Sequence, residues 1–534
     1  MKTNPNRFWS LVILLGWAFD FLFWKKPTGV NFAIYVILCL VTGILILRVD
    51  GHRPKHNMWL LFVPIAFLTA MTFIRAEPMT VFLSYAMTLL LMGVVALTYL
   101  NGLWPWYGIF DYVFGFLRLA GSMIARPLGF VAEIRRDQLE MGQKRKFPVW
   151  PVLRGVVIAL PVVAIFASLL SSADVVFAKR LDDFIRLFNL ENLPEYIFRL
   201  VYILIFAYAL AGTFLHAAQS KDDKLIGVEK PLIPPFLGST EAGIVLGSVI
   251  VLFAAFVAVQ FQYFFGGQTN IHIEGYTYSE YARRGFGELV IVALFSLLLL
   301  LGMGAVTHRE TERQRNIFSG LGVGIVVLVI VMLVSAYQRL VLYENAYGFS
   351  RLRTYTHVFM IWLGLLLVAV VVLEILHRER AFGFTAVLAS LGFVISLNLL
   401  NVDAFIVKRN VEREIHGIGD RAIALGRADL DAQYFLDLSD DAVPTLVDAY
   451  QTSNLPAMVK DKLGASLACI RYQRSPDKRI RPWQSFHFSH FYADRALQSV
   501  ESDLSGYKIT DKDRPVKVTT PAGEEFSCWQ YYYD

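Results

Sequence analysis

The sequence predicts an α-helical polytopic membrane protein with about eleven transmembrane helices and one interfacial helix, followed by a small, mainly helical soluble domain that ends in a β-hairpin. Three observations support this fold class. Of the 534 residues, 56% are hydrophobic and only 18% are charged. Eleven apolar runs approach the roughly 20 residues that cross a bilayer as a helix. After residue 402 the composition becomes that of a soluble domain. These properties exclude a soluble enzyme and a disordered chain.

The predicted spans form two groups on either side of residues 101–149. Four spans lie within 1–100 and seven within 150–402. Each run is bounded by charged residues, Pro or Gly, which mark the ends of membrane helices. Their approximate ranges are 8–24, 29–47, 58–74, 79–100, 150–171, 195–217, 241–265, 286–307, 316–337, 356–376 and 382–402.

Residues 103–124 form an ambiguous segment. They are apolar enough for a span but contain Pro105, Asp111 and Arg118. The segment is also rich in Trp, Tyr and Phe, which settle at the headgroup level of a membrane. We interpret 101–149 as an amphipathic interfacial helix followed by a basic cytoplasmic loop. The alternative is a twelfth span.

The distribution of Lys and Arg predicts the orientation of the chain. With eleven spans and the N-terminus inside, the cytoplasmic segments hold 20 Lys and Arg and the opposite loops hold 11. Basic loops mark the cytoplasmic side, so the C-terminal domain at 403–534 is expected outside. A twelfth span would bring the tail inside and place 308–315, with three Arg in eight residues, outside.

The net charge of +6 does not indicate nucleic acid as a partner. Residues 1–402 hold 33 Lys and Arg against 24 Asp and Glu, whereas the remainder of the chain holds 17 against 20. The basic excess therefore belongs to the membrane part, where membrane lipids are the expected partners.

The C-terminal domain is predicted to contain a helix at 403–427, a helix-turn-helix at 429–450, and helices at 455–472 and 484–503. Alternation at 516–520 and 526–532 around a turn at 521–524 predicts the terminal β-hairpin. Cys469 and Cys528 could form a disulfide if this domain lies outside the cytoplasm, and would remain thiols if it lies inside. No CxxC pair occurs, and neither a metal site nor a cofactor is predicted.

Three polar clusters lie at the predicted outer face. Under this topology, they could bind a charged headgroup or substrate, because Arg recognises phosphate and carboxylate groups. The structural alternatives are ion pairs between helices, headgroup contact by Arg, and docking of the C-terminal domain on the bundle. The candidate residues are Glu280, Arg283, Arg284 and Glu288; Arg339, Glu344, Arg351 and Arg353; and Asp403, Asn410 and Arg413.

These segments resemble a bacterial family of polytopic membrane proteins catalogued as a domain of unknown function. The resemblance lies in YSEYARRGFGEL at 278–289, YENAYG at 343–348 with Arg351 and Arg353, and NVDA at 401–404 with Asn410 and Arg413. The stretch YFLDLSDDAVP at 434–444 is also similar. The resemblance implies a bacterial envelope protein in the cytoplasmic membrane. It implies no activity, substrate or cofactor.

No catalytic signature such as GxSxG, HExxH or a P-loop occurs in the sequence. The leading hypothesis is therefore a non-enzymatic envelope component that senses, binds or scaffolds, with a protein or envelope polymer as the partner of 403–534. One alternative is a transporter or flippase of an anionic amphiphile. The other is a membrane enzyme that acts on lipid-linked substrates.

Overall fold

The computed structural model is predominantly helical, and the helical polytopic fold class is confirmed. Ten helices in the part of the chain that the structure describes are long and apolar enough to cross a membrane. The protein is therefore an integral membrane protein. The described residues are 4–140, 149–174, 176–181, 192–220, 225, 234–265, 286–415, 430–452, 455–474, 481–510 and 515–529.

The helices of the membrane part follow the predicted apolar runs closely, and most boundaries move by only a few residues. They are α1 Pro5–Phe23, α2 Val30–Val49, α3 Trp59–Ile74, α4 Pro78–Thr98, α5 Ile109–Glu140, α6 Val149–Ala173, α7 Leu193–Ala217, α8 Ser239–Phe265, α9 Phe286–Val306, α10 Glu312–Tyr347, α11 Arg351–Ile375 and α12 Phe382–Leu400.

Helices α5 and α6 differ from the ten candidate spans. The fifth predicted span, 150–171, falls on α6, whose described apolar stretch, Pro161–Ala173, is shorter than a span. Helix α5 is amphipathic and runs 16 residues beyond the predicted end at residue 124. Its last turns are rich in helix-forming Arg and Glu, and Arg136 pairs with Glu140 one turn later. This polar extension is the reason that an apolar-run search ended the helix too early.

Helix α10 corrects the predicted outer loop. It runs from Glu312 to Tyr347, whereas the sequence predicts 316–337. Its start has a capping box, in which Thr311 accepts from the Gln314 amide and Gln314 binds back to the Thr311 amide. Its end is Gly348, with φ +81°, a conformation that favours glycine. Arg339 and Glu344 therefore lie on a helix, and only residues 348–350 separate α10 from α11.

The chain divides into two compact units. The first comprises Met1–Lys26, Tyr35–Arg53 and Leu117–Ser220. Its core includes Phe8, Val12 and Leu15 of α1 with Ala207 and Ala211 of α7. Asp20, which is buried in α1, accepts hydrogen bonds from Arg199 of α7 at 3.0 and 3.2 Å. This buried membrane carboxylate therefore serves a helix–helix ion pair.

The second unit contains the rest of the helix bundle and the C-terminal domain. It comprises Pro27–Ile34, Pro54–Phe116 and Lys221–Asp534. Helices α8 to α11 share a buried core. Its central members come from four different helices and are buried almost completely, as expected of a close-packed bundle. They include Leu246, Ala293, Ile325, Val329 and Leu367.

In its described residues, the C-terminal domain has four α-helices and a three-stranded antiparallel sheet. Its elements are α13 Val402–Ile415, α14 Val443–Gln451, α15 Ala457–Gln473, α16 Phe488–Ser499, β1 Lys508–Thr510, β2 Lys517–Thr519 and β3 Glu525–Ser527. The predicted hairpin is confirmed as β2–β3, with Val518 opposite Phe526. The additional strand β1 was not predicted. It pairs with β2 through Ile509 and Val518.

Two helix predictions in this domain need correction. The first half of the predicted helix-turn-helix is a short 3₁₀ turn, Tyr434–Asp437, because Leu438 leaves the helical conformation and Ser439 caps a second turn. The helix predicted at 484–503 shortens to α16, with 3₁₀ turns on both sides. Residues 416–427 of the helix predicted at 403–427 lie outside the described residues.

Candidate functional site

The ends of several helices meet the C-terminal domain at one polar junction. The segments involved are the α3–α4 turn at 75–77, the α10–α11 turn at 348–350, the end of α12, α13, and the domain's 434–441 segment. Asn401 joins α12 to α13 in a left-handed conformation, φ 52°, which Asn tolerates better than most residues. We refer to these residues as the junction.

An ion pair between Arg351 and Asp403 lies at the centre of the junction. Arg351 Nε donates to Asp403 Oδ1 at 2.7 Å, and Nη2 donates to Oδ2 at 2.6 Å. This two-pronged geometry is the strong form of an Arg–carboxylate contact. Asp403 is completely buried and also accepts from the Ser439 amide at 2.6 Å. The first residue of α11, the start of α13 and the 439–441 turn are thereby joined.

Glu77 supplies a second carboxylate beside Arg351. Its Oε1 lies 3.9 Å from Arg351 Nε, and the hydroxyl of Tyr355 donates to it. Glu77 also caps α4, accepting from the amides of Met79 at 2.9 Å and Thr80 at 2.7 Å. Pro at position 78 suits the first turn of this helix. One Arg therefore faces two buried carboxylates.

Asp441 adds a hydrogen-bonded contact between the C-terminal domain and the α3–α4 turn of the bundle. Its Oδ2 accepts from the amides of Ala76 at 2.7 Å and Glu77 at 3.1 Å. Burial raises the pKa of this carboxyl, and the hydrogen bonds it accepts act in the opposite direction. Arg75 donates from Nε to the Asn398 carbonyl at 3.0 Å, which ties the same turn to the end of α12.

Side chains of α13 hold the α10–α11 turn. Asn410 accepts from the Phe349 amide at 2.7 Å and donates to the Phe349 carbonyl at 3.0 Å. Arg413 donates to the Asn345 carbonyl at 3.2 Å. A Cβ at Gly348 would lie 2.8 Å from the Asn410 oxygen, so this close approach also requires glycine. Arg353 donates to the Gly348 carbonyl and lies 4.1 Å from the ring centroid of Tyr343.

The other predicted site residues lie away from this centre or outside the described chain. Glu344 is buried, with Oε1 3.3 Å from His357 Nδ1. Arg339 is half-buried one turn earlier, and Glu288 is exposed at the start of α9. Glu280, Arg283 and Arg284 lie outside the described residues.

Sequence reasoning missed several junction residues, namely Glu77, Tyr355, Tyr434 and Asp441. Tyr434 accepts from the Arg351 amide at 2.9 Å. The Glu77-Pro78 pair between two spans was an available signal, because an acid before Pro is typical of a helix start. No comparable pattern marks Tyr355.

A groove of about 790 Å³ adjoins the junction. Arg75 and Asn401 line it from the bundle, and Asp448, Tyr492 and Arg495 line it from the domain. It therefore combines charged groups of both signs with aromatic surface.

Close to this groove, a network of charged side chains joins Asp440 to the end of α15 and to α16. Asp440 receives a hydrogen bond from His490 and pairs with Arg474. Although burial by itself raises the pKa of Asp440, these two partners hold the pKa of that carboxyl well below its usual range.

His487 predicts a pH dependence of stability. Burial, with the nearby charges of His490 and Arg481, lowers the pKa of His487 to about 4, although Asp440 acts in the opposite direction. Between its unfolded value near 6.5 and this folded value, the unfolded state binds more protons. The free energy of unfolding should therefore fall by about 3 kcal/mol as the pH falls through this window.

Thermal unfolding of the purified full-length protein between pH 7 and pH 4 measures this effect. The comparison with His487→Gln isolates it, since the variant lacks the titrating ring while other groups are unchanged. Parallel profiles for the two proteins would show that His487 does not contribute.

The chemistry of the junction favours attachment over catalysis. Its carboxylates are paired or accept backbone hydrogen bonds, and its Arg residues bind carboxylates or carbonyls. Within the described ranges, no group of three or more His, Cys, Asp or Glu side chains could hold a metal ion. The arrangement can fasten the domain and can transmit a change in the domain to several helices.

The match to a protein family covers the part of the chain that contains the junction. One family model matches residues 62–449, a range that includes the whole junction. Neither the curated proteins nor the solved structures contain a match to this chain.

Proposed function

We propose that this chain is a non-enzymatic protein of the bacterial cytoplasmic membrane whose C-terminal domain faces outward and binds a partner. The chain belongs to the family described as a domain of unknown function (DUF4153). In this role the domain works while fastened to the helix bundle. The observation that carries the proposal is the buried Arg351–Asp403 pair, because it joins the domain to helix ends without leaving an open reactive group.

The contacts at the junction support the view that all the helix ends that meet there lie on one face of the membrane. The 75–77 and 348–350 turns both contact the domain. Among the described residues, the seven long helices α4 to α10 lie between these turns. If every one except α5 crosses the membrane, six crossings return the chain to its starting side. If α5 and α6 both spanned, the count would be seven, so the geometry favours one non-spanning helix among these two, and the amphipathic α5 is the proposed interfacial one.

Charge and cysteine chemistry support an outward orientation. The positive-inside distribution supports a junction end outside and an opposite, Arg-rich end in the cytoplasm. Cys469 and Cys528 form a disulfide in the core of the C-terminal domain. Disulfides persist in oxidising compartments outside the cytoplasm.

Exposed aromatic residues support a position at the membrane surface. Phe486 accepts from the amide of Val30, the first residue of α2, at 3.0 Å, and Ser485 donates to the Pro27 carbonyl at 2.7 Å. Near this contact, Trp483 and Phe491 remain exposed. Because aromatic side chains favour the headgroup region, the domain is expected to rest on the outer leaflet.

The groove is the proposed binding surface for a protein or polymer of the envelope. It is lined by both the domain and the bundle, so an occupant would contact both. Five of the described cluster residues are engaged at the junction, which gives the transporter and enzyme alternatives less support than partner binding. They are Arg351, Arg353, Asp403, Asn410 and Arg413.

A photo-crosslinking experiment tests this function. A photoreactive amino acid replaces Arg495 in the groove of the full-length protein, and irradiation is performed in intact cells. The expected result is a discrete adduct that an impermeant protease can reach from outside. Substitution of Tyr492 by Ala should reduce the adduct, because Tyr492 lines the same groove.

A photoreactive residue at Lys508 is the matched control. Lys508 is exposed on β1 and does not line the groove. Adducts of equal yield at both positions would indicate random collision. No adduct at position 495 in a correctly folded protein would contradict partner binding at this groove.

A further inference from the structure

A cavity of about 610 Å³ lies at the end of the bundle opposite the junction. Helix α11 starts at the junction and is 25 residues long, about 38 Å, so its last turn lies at the opposite end. The cavity is formed there by the end of α9, the first turns of α10, the end of α11 and the start of α12. Its volume falls within the range of ligand sites, roughly 300–1,000 Å³.

The inner part of the cavity is apolar and depends on glycine. Leu298, Val323 and Val370 contribute hydrocarbon surface, and Gly302 and Gly322 contribute none. A Cβ built at Gly302 meets nothing within 4 Å, and one at Gly322 meets only Leu300, at 3.7 Å. The missing side chains therefore leave space inside the cavity that larger residues would fill.

The outer part of the cavity carries two ion pairs. Arg309 donates to Glu374 at 2.7 Å, and Arg380 donates to Asp111 at 2.8 Å. Asp111, Glu374 and Arg380 line the cavity. Arg309 lies beside it, where its Nη2 donates to the carbonyl of the lining residue Gly304 at 2.8 Å. Ser319 adds a hydroxyl that donates to Glu374 at 3.2 Å. The polar end thus presents two carboxylates and one guanidinium next to an apolar chamber, and the second guanidinium, of Arg309, is paired with Glu374.

We propose that this cavity binds a zwitterionic phospholipid that has a primary ammonium group, with one acyl chain in the glycine-lined chamber. The cavity lies between membrane helices, where hydrocarbon chains are the available apolar ligands. The lipid phosphate pairs with Arg380, and its ammonium donates to Asp111 and Glu374. An anionic headgroup brings no cation for these two carboxylates, so it binds less well. This site is independent of the proposed function of the junction.

The test uses the full-length protein reconstituted in vesicles with phosphatidylethanolamine that carries a photoactivatable group on one acyl chain. After irradiation, mass spectrometry locates the labelled peptides. The expected labels lie in 298–306 and 318–323. Gly302→Leu with Gly322→Leu should reduce this labelling about tenfold, since the leucine side chains occupy the chamber.

Gly364→Leu is the matched control. Gly364 lies on α11, a Cβ there meets nothing within 4 Å, and it does not line the cavity. Its labelling should equal that of the wild type, and thermal unfolding verifies that every variant folds. Equal labelling in the cavity variant and the control would overturn the proposal, because it would indicate ordinary contact with bulk lipid.

A headgroup comparison provides the second test and does not depend on filling the cavity. Phosphatidylglycerol with the same photoactivatable chain should label these peptides less than phosphatidylethanolamine. Asp111→Asn removes one negative charge and keeps an acceptor for the Gly108 amide, which binds Asp111 at 2.8 Å. This variant should reduce the difference in labelling between phosphatidylethanolamine and phosphatidylglycerol. Equal labelling by both lipids in the wild type would contradict recognition of the headgroup.

Discussion

Replacing Asp403 with alanine is expected to lower the stability of the junction by about 3–5 kcal/mol, the usual effect of removing one partner of a buried ion pair. Asp403 is fully buried, and it binds both Arg351 and the Ser439 amide. The variant leaves a cation and an amide without their acceptor. Thermal unfolding and limited proteolysis of the purified full-length protein should show early release of the C-terminal domain.

Glu412→Ala is the matched control on the same helix. Glu412 is only partly buried, and it pairs with the exposed Lys408 and Arg409 at 4.0 and 3.4 Å. Exposed pairs contribute at most about 1 kcal/mol, so the domain should remain attached. Similar losses in the two variants would show that the buried pair does not hold the junction.

A double substitution tests whether the charges of Arg351 and Asp403 are themselves needed to keep the domain attached. Arg351→Met with Asp403→Leu removes both charges and keeps apolar bulk. Such replacements are often neutral or stabilising, so the double variant should recover most of the stability that Asp403→Ala loses. A double variant that is less stable than Asp403→Ala would indicate that the ion pair has a net stabilising effect of its own.

Replacing Cys469 and Cys528 with serine should destabilise the C-terminal domain by about 4 kcal/mol in the loop-entropy account. The disulfide joins residues 59 apart, and both cysteines are buried in the domain core. The measurement is the unfolding temperature of the full-length protein with and without a reducing agent. Reductant should lower that temperature in the wild type and leave it unchanged in the variant.

Cys39→Ser controls for the loss of a thiol without the loss of a cross-link, since Cys39 is a free, buried cysteine in α2. In intact cells, an impermeant thiol reagent should label the two C-terminal cysteines only after reduction and local unfolding. Labelling that requires permeabilised cells would place the domain inside and would contradict the proposed orientation. An unchanged unfolding temperature in the double serine variant would contradict the stabilising role of the disulfide. It would not affect the proposed orientation of the domain.

The bundle was largely predictable because a bilayer acts on each segment separately. A helix that crosses hydrocarbon needs its own apolar run, and those runs can be read without knowledge of any neighbour. The errors arose where hydropathy was a poor guide to helix ends. The Thr311 cap and Gly348 extend α10 past the apolar run, so Glu344 became helical.

The candidate site was only partly predictable. Arg351, Asp403, Asn410 and Arg413 were selected as outer-face polar residues, but the pairing of Arg351 with Asp403 and the other contacts of these residues were not predicted. Asp441 binds an amide 365 residues earlier in the chain, and Tyr355 binds Glu77, 278 residues away. Glu77 had no local pattern that distinguished a docking carboxylate from an ordinary helix cap.

The sequence by itself determined the membrane class, the positions of most helices and the charge asymmetry that predicts orientation. These properties arise from composition over short windows, and the solvent acts on them locally. Only the tertiary structure decided that Arg351 lies between Asp403 and Glu77, and that glycines and two ion pairs form a cavity at the opposite end. A buried charge requires a compensating partner, and a cavity requires several walls. Segments that are distant in the sequence supply both.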